Sequence, residues 1–108
     1  MAGAKKKEPK RTGTFARAIR RAIAHHKAVA HVTFRGVRVK TDEYGQLYVN
    51  ARIVLQDRVN ARQSGYDVQH SILETIRSLS DRPIGRINVV ITNIALPADK
   101  RKAEGVTP

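Results

Sequence analysis

Apolar and polar residues alternate almost perfectly between Gln46 and Gln56. This period of two is typical of a β-strand that has one face on a hydrophobic core and the other toward solvent. The preceding segment, His31–Lys40, alternates as well, and Asp42–Gly45 between the two has the composition of a turn. The two segments therefore predict an antiparallel hairpin. The expected core-facing residues of its second strand are Leu47, Val49, Ala51, Ile53 and Leu55.

The first strand of this hairpin changes phase in its middle. Val32 and Phe34 share one face before Gly36, and Val37 and Val39 share that face after it. A glycine at such a point is typical of a β-bulge. We therefore expect all four apolar residues to face the core, with Gly36 at the bulge.

A long helix and a third strand follow the hairpin. Asn60 can cap the helix, and Pro83 marks its end. Between them, small or apolar residues recur every three or four positions, namely Ala61, Gly65, Val68, Ile72, Ile76 and Leu79. The third strand is predicted from the alternation of Ile87, Val89 and Ile91, with Val90 and Ile94 on its other side.

A shorter helix precedes the hairpin, over Phe15–Lys27. Its apolar stripe carries Phe15 and Ile19 while its other faces are basic, and Thr12 or Thr14 can cap it. Helices of this kind lie on membranes or dock on sheets. Two bulky apolar residues are a weak lipid anchor, so we expect docking on the sheet.

These elements predict an α+β fold in two layers, with a three-stranded sheet and two helices on one of its faces. The element order is helix, strand, strand, helix, strand. We expect a basic disordered arm over residues 1–12, one domain over residues 13–97 and a flexible tail over residues 98–108. The expected core residues are Leu47, Val49, Ile53, Leu55, Val68, Ile72, Ile76, Ile87, Val89 and Ile91.

Positive charge is concentrated in the N-terminal third of the 108-residue chain. The formal net charge is +12, and residues 1–40 hold 12 Lys and Arg against one acidic residue, Glu8. Charge needed for solubility alone would not segregate in this way, so we expect an anionic partner, although a solvated arm is the alternative. The expected contacts to the partner are Lys5, Lys6, Lys7, Lys10, Arg11, Arg17, Arg20 and Arg21.

A second candidate surface is the face of the sheet turned away from the helices. Its alternation predicts a polar, basic surface with a single aromatic residue, formed by Arg35, Arg38, Lys40, Tyr48, Asn50 and Arg52. One aromatic residue is a weak match to single-stranded nucleic-acid platforms, which usually offer two or three. Self-association or protein docking fits this surface equally well.

Catalysis is not indicated. The chain has no Cys, no phosphate-binding glycine loop and no Ser, His and acid arrangement that resembles a nucleophile site. Adjacent His25 and His26 would point in different directions on a helix. We therefore expect no enzyme activity, no cofactor and no metal site. No apolar run approaches the length of a membrane span or a signal peptide.

Three stretches of the chain resemble a known family. They are the strand Leu47–Leu55, the pair Val68–Gln69 in the long helix, and the strand Ile87–Ile94. Together they are similar to the small alkaline-shock, or envelope stress response, proteins of Gram-positive bacteria, over about residues 14–96. The resemblance implies a non-enzymatic stress-response protein that oligomerises and docks on a membrane-bound partner at the cytoplasmic side of the membrane.

Two functions therefore stay open. The first is an oligomeric interaction module of the envelope-stress type, cytoplasmic or peripheral at the inner face of the membrane. The alternative is a nucleic-acid-associated protein whose basic arm and sheet face neutralise phosphates. Salt dependence distinguishes them, because phosphate binding weakens steeply with salt and a packed protein interface does not.

Overall fold

The computed structural model describes residues 11–95. Helix α1 spans Thr12–Ala24, strand β1 Val29–Thr41, strand β2 Leu47–Leu55, helix α2 Ala61–Leu79 and strand β3 Ile84–Ile94. The order helix, strand, strand, helix, strand and the α+β class agree with the sequence prediction. The predicted arm, apart from its last two residues, and the predicted tail lie outside the described residues.

The sheet is mixed, with strand order β1-β2-β3. Strand β1 pairs with β2 in antiparallel fashion, as the predicted hairpin requires. Strand β3 pairs with the other edge of β2 in parallel fashion, with α2 as the crossover between them. The central strand β2 therefore aligns its residues with both neighbours.

Both helices pack on one face of the sheet, as predicted, and enclose a single core. Helix α1 contributes Phe15, Ile19 and Ile23, and α2 contributes Val68, Ile72 and Ile76. These meet the inward side chains of β1 and β2, which include Val32, Val37, Val39, Leu47, Val49, Ala51, Ile53 and Leu55. The expected docking of Phe15 and Ile19 on the sheet is confirmed, because both side chains are fully buried.

The ends of the two helices differ in how they are capped. Asn60 caps α2 as predicted, since its side-chain oxygen accepts from the Gln63 N–H at 2.9 Å. The predicted capping of α1 by Thr12 or Thr14 is wrong. The helix already begins at Thr12, so Arg11 takes the cap position, and its side chain makes no capping hydrogen bond.

Two expectations about the core need correction. Ile87, Val89 and Ile91 are half-buried rather than buried, because α2 covers the edge strand β3 less fully than α1 covers the other edge strand, β1. Phe34 does not face the core at all, since 85% of it is exposed. The register passes from Val32 opposite Ile53 to Val37 opposite Ala51, so four residues of β1 face one residue of β2. Residues 33–36 thus form an enlarged bulge.

Candidate functional site

The open face of the sheet, the face without helices, contains a concave basic cavity of about 690 Å³. All three strands contribute to it. Two rows of side chains cross the sheet side by side, because Arg38 is opposite Asn50, which is opposite Asn88, and Lys40, Tyr48 and Arg86 are aligned in the same way. The full lining is Phe34, Arg35, Gly36, Arg38, Lys40, Tyr48, Val49, Asn50, Arg52, Arg86 and Asn88.

Every ionisable side chain that lines this cavity is a cation or Tyr48. The cations are Arg35, Arg38, Lys40, Arg52 and Arg86, and no carboxylate of residues 11–95 lines the cavity. Within residues 11–95, none of these five cations forms an ion pair; the pairs there include Arg58 with Asp57 and His70 with Glu74. Cations that converge in a cleft focus the potential and attract anions. The cavity is therefore suited to an anionic ligand.

An amide pair lies in the middle of the cavity. The Asn88 Nδ2 group donates to Asn50 Oδ1 at 3.2 Å. Within the described part of the chain, the side-chain nitrogen of Asn50 and the side-chain oxygen of Asn88 have no hydrogen-bond partner. The pair thus offers a ligand both a donor and an acceptor.

The Tyr48 ring forms one wall and is fixed at its hydroxyl end. Its oxygen lies 3.0 Å from Asp42 Oδ2 and 2.9 Å from Gln46 Oε1, both acceptors for its single proton. The hydrogen bond to Asp42 raises the pKa of Tyr48, and Arg86 offsets part of this effect. A Cβ on Gly85 would lie 2.5 Å from the ring, so the ring can pack at this position only because residue 85 has no side chain.

Asp42 organises the hairpin turn beside this wall. Its Oδ1 accepts from the main-chain N–H groups of Tyr44 and Gln46, each at 2.9 Å. Desolvation alone would raise the pKa of Asp42, but the N–H groups of Gln46 and Tyr44 and the Tyr48 hydroxyl outweigh it, so the pKa lies below its usual value. Asp42 is therefore a turn carboxylate engaged by donors rather than a free acid.

The bulge at residues 33–36 forms the opposite rim. The guanidinium of Arg20 donates to the main-chain oxygens of Thr33 at 2.9 Å and Val32 at 3.2 Å. The Thr33 hydroxyl donates to the Arg52 main-chain oxygen at 3.1 Å. A Cβ on Gly36 would lie 2.7 Å from the same oxygen, so the bulge excludes a side chain there.

All six residues predicted for the sheet face, namely Arg35, Arg38, Lys40, Tyr48, Asn50 and Arg52, line this one cavity. Sequence reasoning missed Phe34, Arg86 and Asn88. The alternation of Ile87, Val89 and Ile91 carried a signal for the last two, because the residues between them must point to the open face. The position of β3 beside β2 was needed to place them.

The residues predicted for an anionic partner separate into three groups. Lys5, Lys6, Lys7 and Lys10 lie outside the described residues. Arg11, Arg17 and Arg21 are exposed at or on α1 and do not line the basic cavity. Arg20 does not line the cavity either; its guanidinium donates to the main-chain oxygens of Thr33 and Val32.

Residues 11–95 contain no cluster of three or more His, Asp or Glu side chains placed to hold a metal ion. His26 Nδ1 instead accepts from the Ala28 N–H at 3.1 Å after α1. In the same part of the chain, neither helix combines the length and apolar character that crossing a membrane requires.

Comparison with solved structures shows the fold. A variant of the MamM CTD superposes with a TM-score of 0.54 at 12% identity, over 76% of this chain and 96% of that one. A zinc form of another MamM CTD variant gives a TM-score of 0.54 at 13% identity, over 79% and 88%. At this identity the likeness shows the fold alone. No family profile and no curated protein matches the sequence, so the alkaline-shock resemblance stays a prediction.

Proposed function

We propose that this chain is a non-enzymatic nucleic-acid-associated protein that binds a single strand in the basic cavity. The observation that carries the proposal is the convergence of five cations on one concave face, where the described residues provide neither an ion pair to them nor a carboxylate. Two aromatic side chains, Phe34 and Tyr48, and the Asn50–Asn88 amide pair lie among them. Single-strand platforms combine basic grooves with aromatic side chains in this way.

The concave shape favours a flexible chain over a flat surface. Asn50 and Arg52 lie on the central strand, between the rim formed by the bulge and the wall formed by Tyr48. In the proposed complex a single strand follows this concave lining and brings its phosphates to these side chains.

The basic N-terminal segment joins the fold next to this cavity. A smaller depression at the edge of β1 is lined by Thr12, Gly13 and Ala16 together with Arg35, Arg38 and Lys40, which also line the basic cavity. Residues 1–11 carry Lys5, Lys6, Lys7, Lys10 and Arg11. In this proposal these cations add phosphate contacts to those of the cavity.

The membrane-associated role is the competing hypothesis. An envelope stress function, a membrane-bound partner and a cytoplasmic or peripheral location follow from the family resemblance and stay predictions. Binding to anionic lipid would need the same cations. The two functions are therefore distinguished by which ligand, the oligonucleotide or the anionic vesicle, stays bound to the protein as the salt concentration rises.

Self-association is a further part of the proposal. Strand β3 pairs with β2 and, within residues 11–95, with no other strand. Its 11 residues contain no Pro and one charged side chain, Arg86, while Ile87, Val89 and Ile91 are half-buried. A long, apolar, unpaired edge is a template for strand pairing. A second copy would cover it, and sedimentation velocity over a range of concentrations tests this; a monomer throughout would refute it.

Fluorescence anisotropy with a labelled single-stranded oligonucleotide of about ten nucleotides tests the nucleic-acid proposal. We expect log Kd to rise linearly with log salt, and the Arg38→Ser variant to lower this slope by about 0.7. Arg62→Ser is the matched control, because Arg62 is exposed on α2 and does not line the cavity. It removes the same charge and should leave the slope unchanged.

Three results would contradict the proposal. One is equal loss of affinity in Arg38→Ser and Arg62→Ser, which would indicate diffuse attraction by net charge. Another is a duplex of the same length binding as tightly as the single strand. The third is retention of anionic phospholipid vesicles at a salt concentration that releases the oligonucleotide, which would favour the membrane role.

A further inference from the structure

Phe34 is the most exposed large apolar side chain of the described residues, at 85%. The chain has two Phe residues, and the other, Phe15, is fully buried in the core. Strand alternation would have put Phe34 beside Val32 on the core face. The enlarged bulge turns it to the open face instead, at the rim of the basic cavity.

The bulge that exposes Phe34 is held in its conformation by specific contacts. Side-chain hydrogen bonds hold it: Arg20 donates to the main-chain oxygens of Thr33 and the adjacent Val32, and the Thr33 hydroxyl donates to Arg52. Gly36 makes room for the close approach of β2, and Arg35 has a φ of 55°, a left-handed conformation that costs energy for a residue with a Cβ. Strained backbone and bulges are concentrated where a side chain must be aimed.

The surroundings of the ring define what it can bind. The Arg35 guanidinium lies over the ring, 5.4 Å from its centroid. The rest of the cavity lining is mainly cations and amides, so Phe34 is a single exposed aromatic ring and not part of an apolar patch. Lipid tails and protein anchors need a larger apolar area. A planar aromatic group attached to an anion matches both the ring and its cationic neighbours.

We propose that Phe34 is a stacking platform for one nucleobase of the bound strand. Arg35, Arg38 and Arg52 hold the phosphates that flank this base, and the Asn50–Asn88 pair offers its donor and acceptor to a neighbouring base edge. This inference rests on the proposed function and adds to it: the ligand must be single-stranded, because a paired base cannot leave its stack at low cost.

The test uses Phe34→Ala and the full chain, with a single-stranded oligothymidylate and inorganic polyphosphate as probes. We expect the oligonucleotide to bind Phe34→Ala about 5- to 150-fold more weakly, the range measured for base stacking on aromatic side chains. Polyphosphate, which has no bases, should bind both proteins equally. Tyr44→Ala is the matched control, because Tyr44 is 76% exposed and does not line the cavity.

A second variant gives a direct signal. The chain contains no Trp, so Phe34→Trp introduces a single Trp at the proposed platform, and its emission can be excited apart from that of the three Tyr residues. We expect this variant to retain affinity and its emission to be quenched by the oligonucleotide but not by polyphosphate. Because Phe34 is exposed, neither substitution should alter the unfolding temperature, which is measured in parallel.

The outcomes separate this inference from the proposed function. If the wild-type chain binds no oligonucleotide, both are wrong. If it binds with the expected salt slope while Phe34→Ala has no effect, or weakens polyphosphate equally, the stacking platform alone is wrong. A blue shift of the Phe34→Trp emission on anionic vesicles, without quenching by the oligonucleotide, would overturn the platform in favour of lipid.

Discussion

The Arg20 guanidinium donates to the main-chain oxygen of Thr33 at 2.9 Å, and so joins helix α1 to the bulge of strand β1. The same group reaches the Val32 oxygen at 3.2 Å. A cation that the sequence assigned to an anionic partner thus satisfies two carbonyls of an irregular strand. Helix α1, on the covered face of the sheet, thus supports the bulge that forms the rim of the cavity on the open face.

Arg20→Ala should therefore destabilise the fold. Hydrogen bonds from a charged donor contribute about 1.5–3 kcal/mol, and their loss also leaves two carbonyls without this donor. We expect the free energy of unfolding in urea to fall by about 1–3 kcal/mol. Arg17→Ala, on the exposed face of the same helix, should change it by less than about 0.5 kcal/mol. Equal effects of the two substitutions would refute the structural role of Arg20.

Gly36→Ala and Gly65→Ala should change stability in opposite directions. A Cβ at Gly36 would lie 2.7 Å from the Arg52 main-chain oxygen, so the bulge must shift, and we expect a loss of stability of about 1–3 kcal/mol. A Cβ at Gly65 meets nothing within 4 Å inside α2, and Ala should stabilise the helix by about 0.5–1 kcal/mol. Thermal unfolding of the two variants measures both; a neutral Gly36→Ala would contradict the bulge.

Ile72→Ala tests the core between α2 and the sheet. Ile72 is fully buried, and truncation of such a side chain costs about 2–5 kcal/mol through lost burial and the cavity that remains. Ile94→Ala is the comparison, because Ile94 is 46% exposed at the end of β3. We expect chemical denaturation to show a much smaller change for Ile94→Ala. A loss below about 0.5 kcal/mol for Ile72→Ala would place it outside the core.

The Asp42–Tyr48 contact should make the hairpin turn sensitive to pH at both extremes. The pKa of Asp42 is lowered in the folded state, so its stabilising contribution is present above the unfolded pKa and lost as pH falls through the folded value. The pKa of Tyr48 is raised, so its contribution is present below the unfolded pKa and lost as pH rises through the folded value.

Titration followed by NMR measures this coupling. In Tyr48→Phe, the carboxylate of Asp42 loses one donor, and its pKa should rise toward the usual value while the main-chain donors still hold it low. In Asp42→Asn, the pKa of Tyr48 should fall. An unchanged pKa of Asp42 in Tyr48→Phe would show that the hydroxyl donates to Gln46 instead.

The helices, the strands and most of the core followed from the sequence, because a period of two or of 3.6 is a local property that a chain segment carries by itself. The same alternation identified six residues of the basic cavity, from Arg35 to Arg52. Strand alternation on a half-buried hairpin leaves few alternatives for which side chains share a face.

Strand order and the size of the bulge were decided by the tertiary structure. Parallel pairing of β3 with β2 brings Arg86 and Asn88 to the cavity, and this pairing depends on how α2 crosses the sheet rather than on any pattern within β3. Phe34 was assigned to the core because alternation within β1 gives no information about the register between β1 and β2. The bulge places four residues of β1 opposite one residue of β2, which is a property of the strand pair and not of β1 alone. It is stabilised by contacts between residues distant in sequence, namely Arg20 with Thr33 and Gly36 with the Arg52 main chain. Local periodicity specifies which residues share a face of a regular strand. Pairing between distant segments decides which face a residue within a bulge points to.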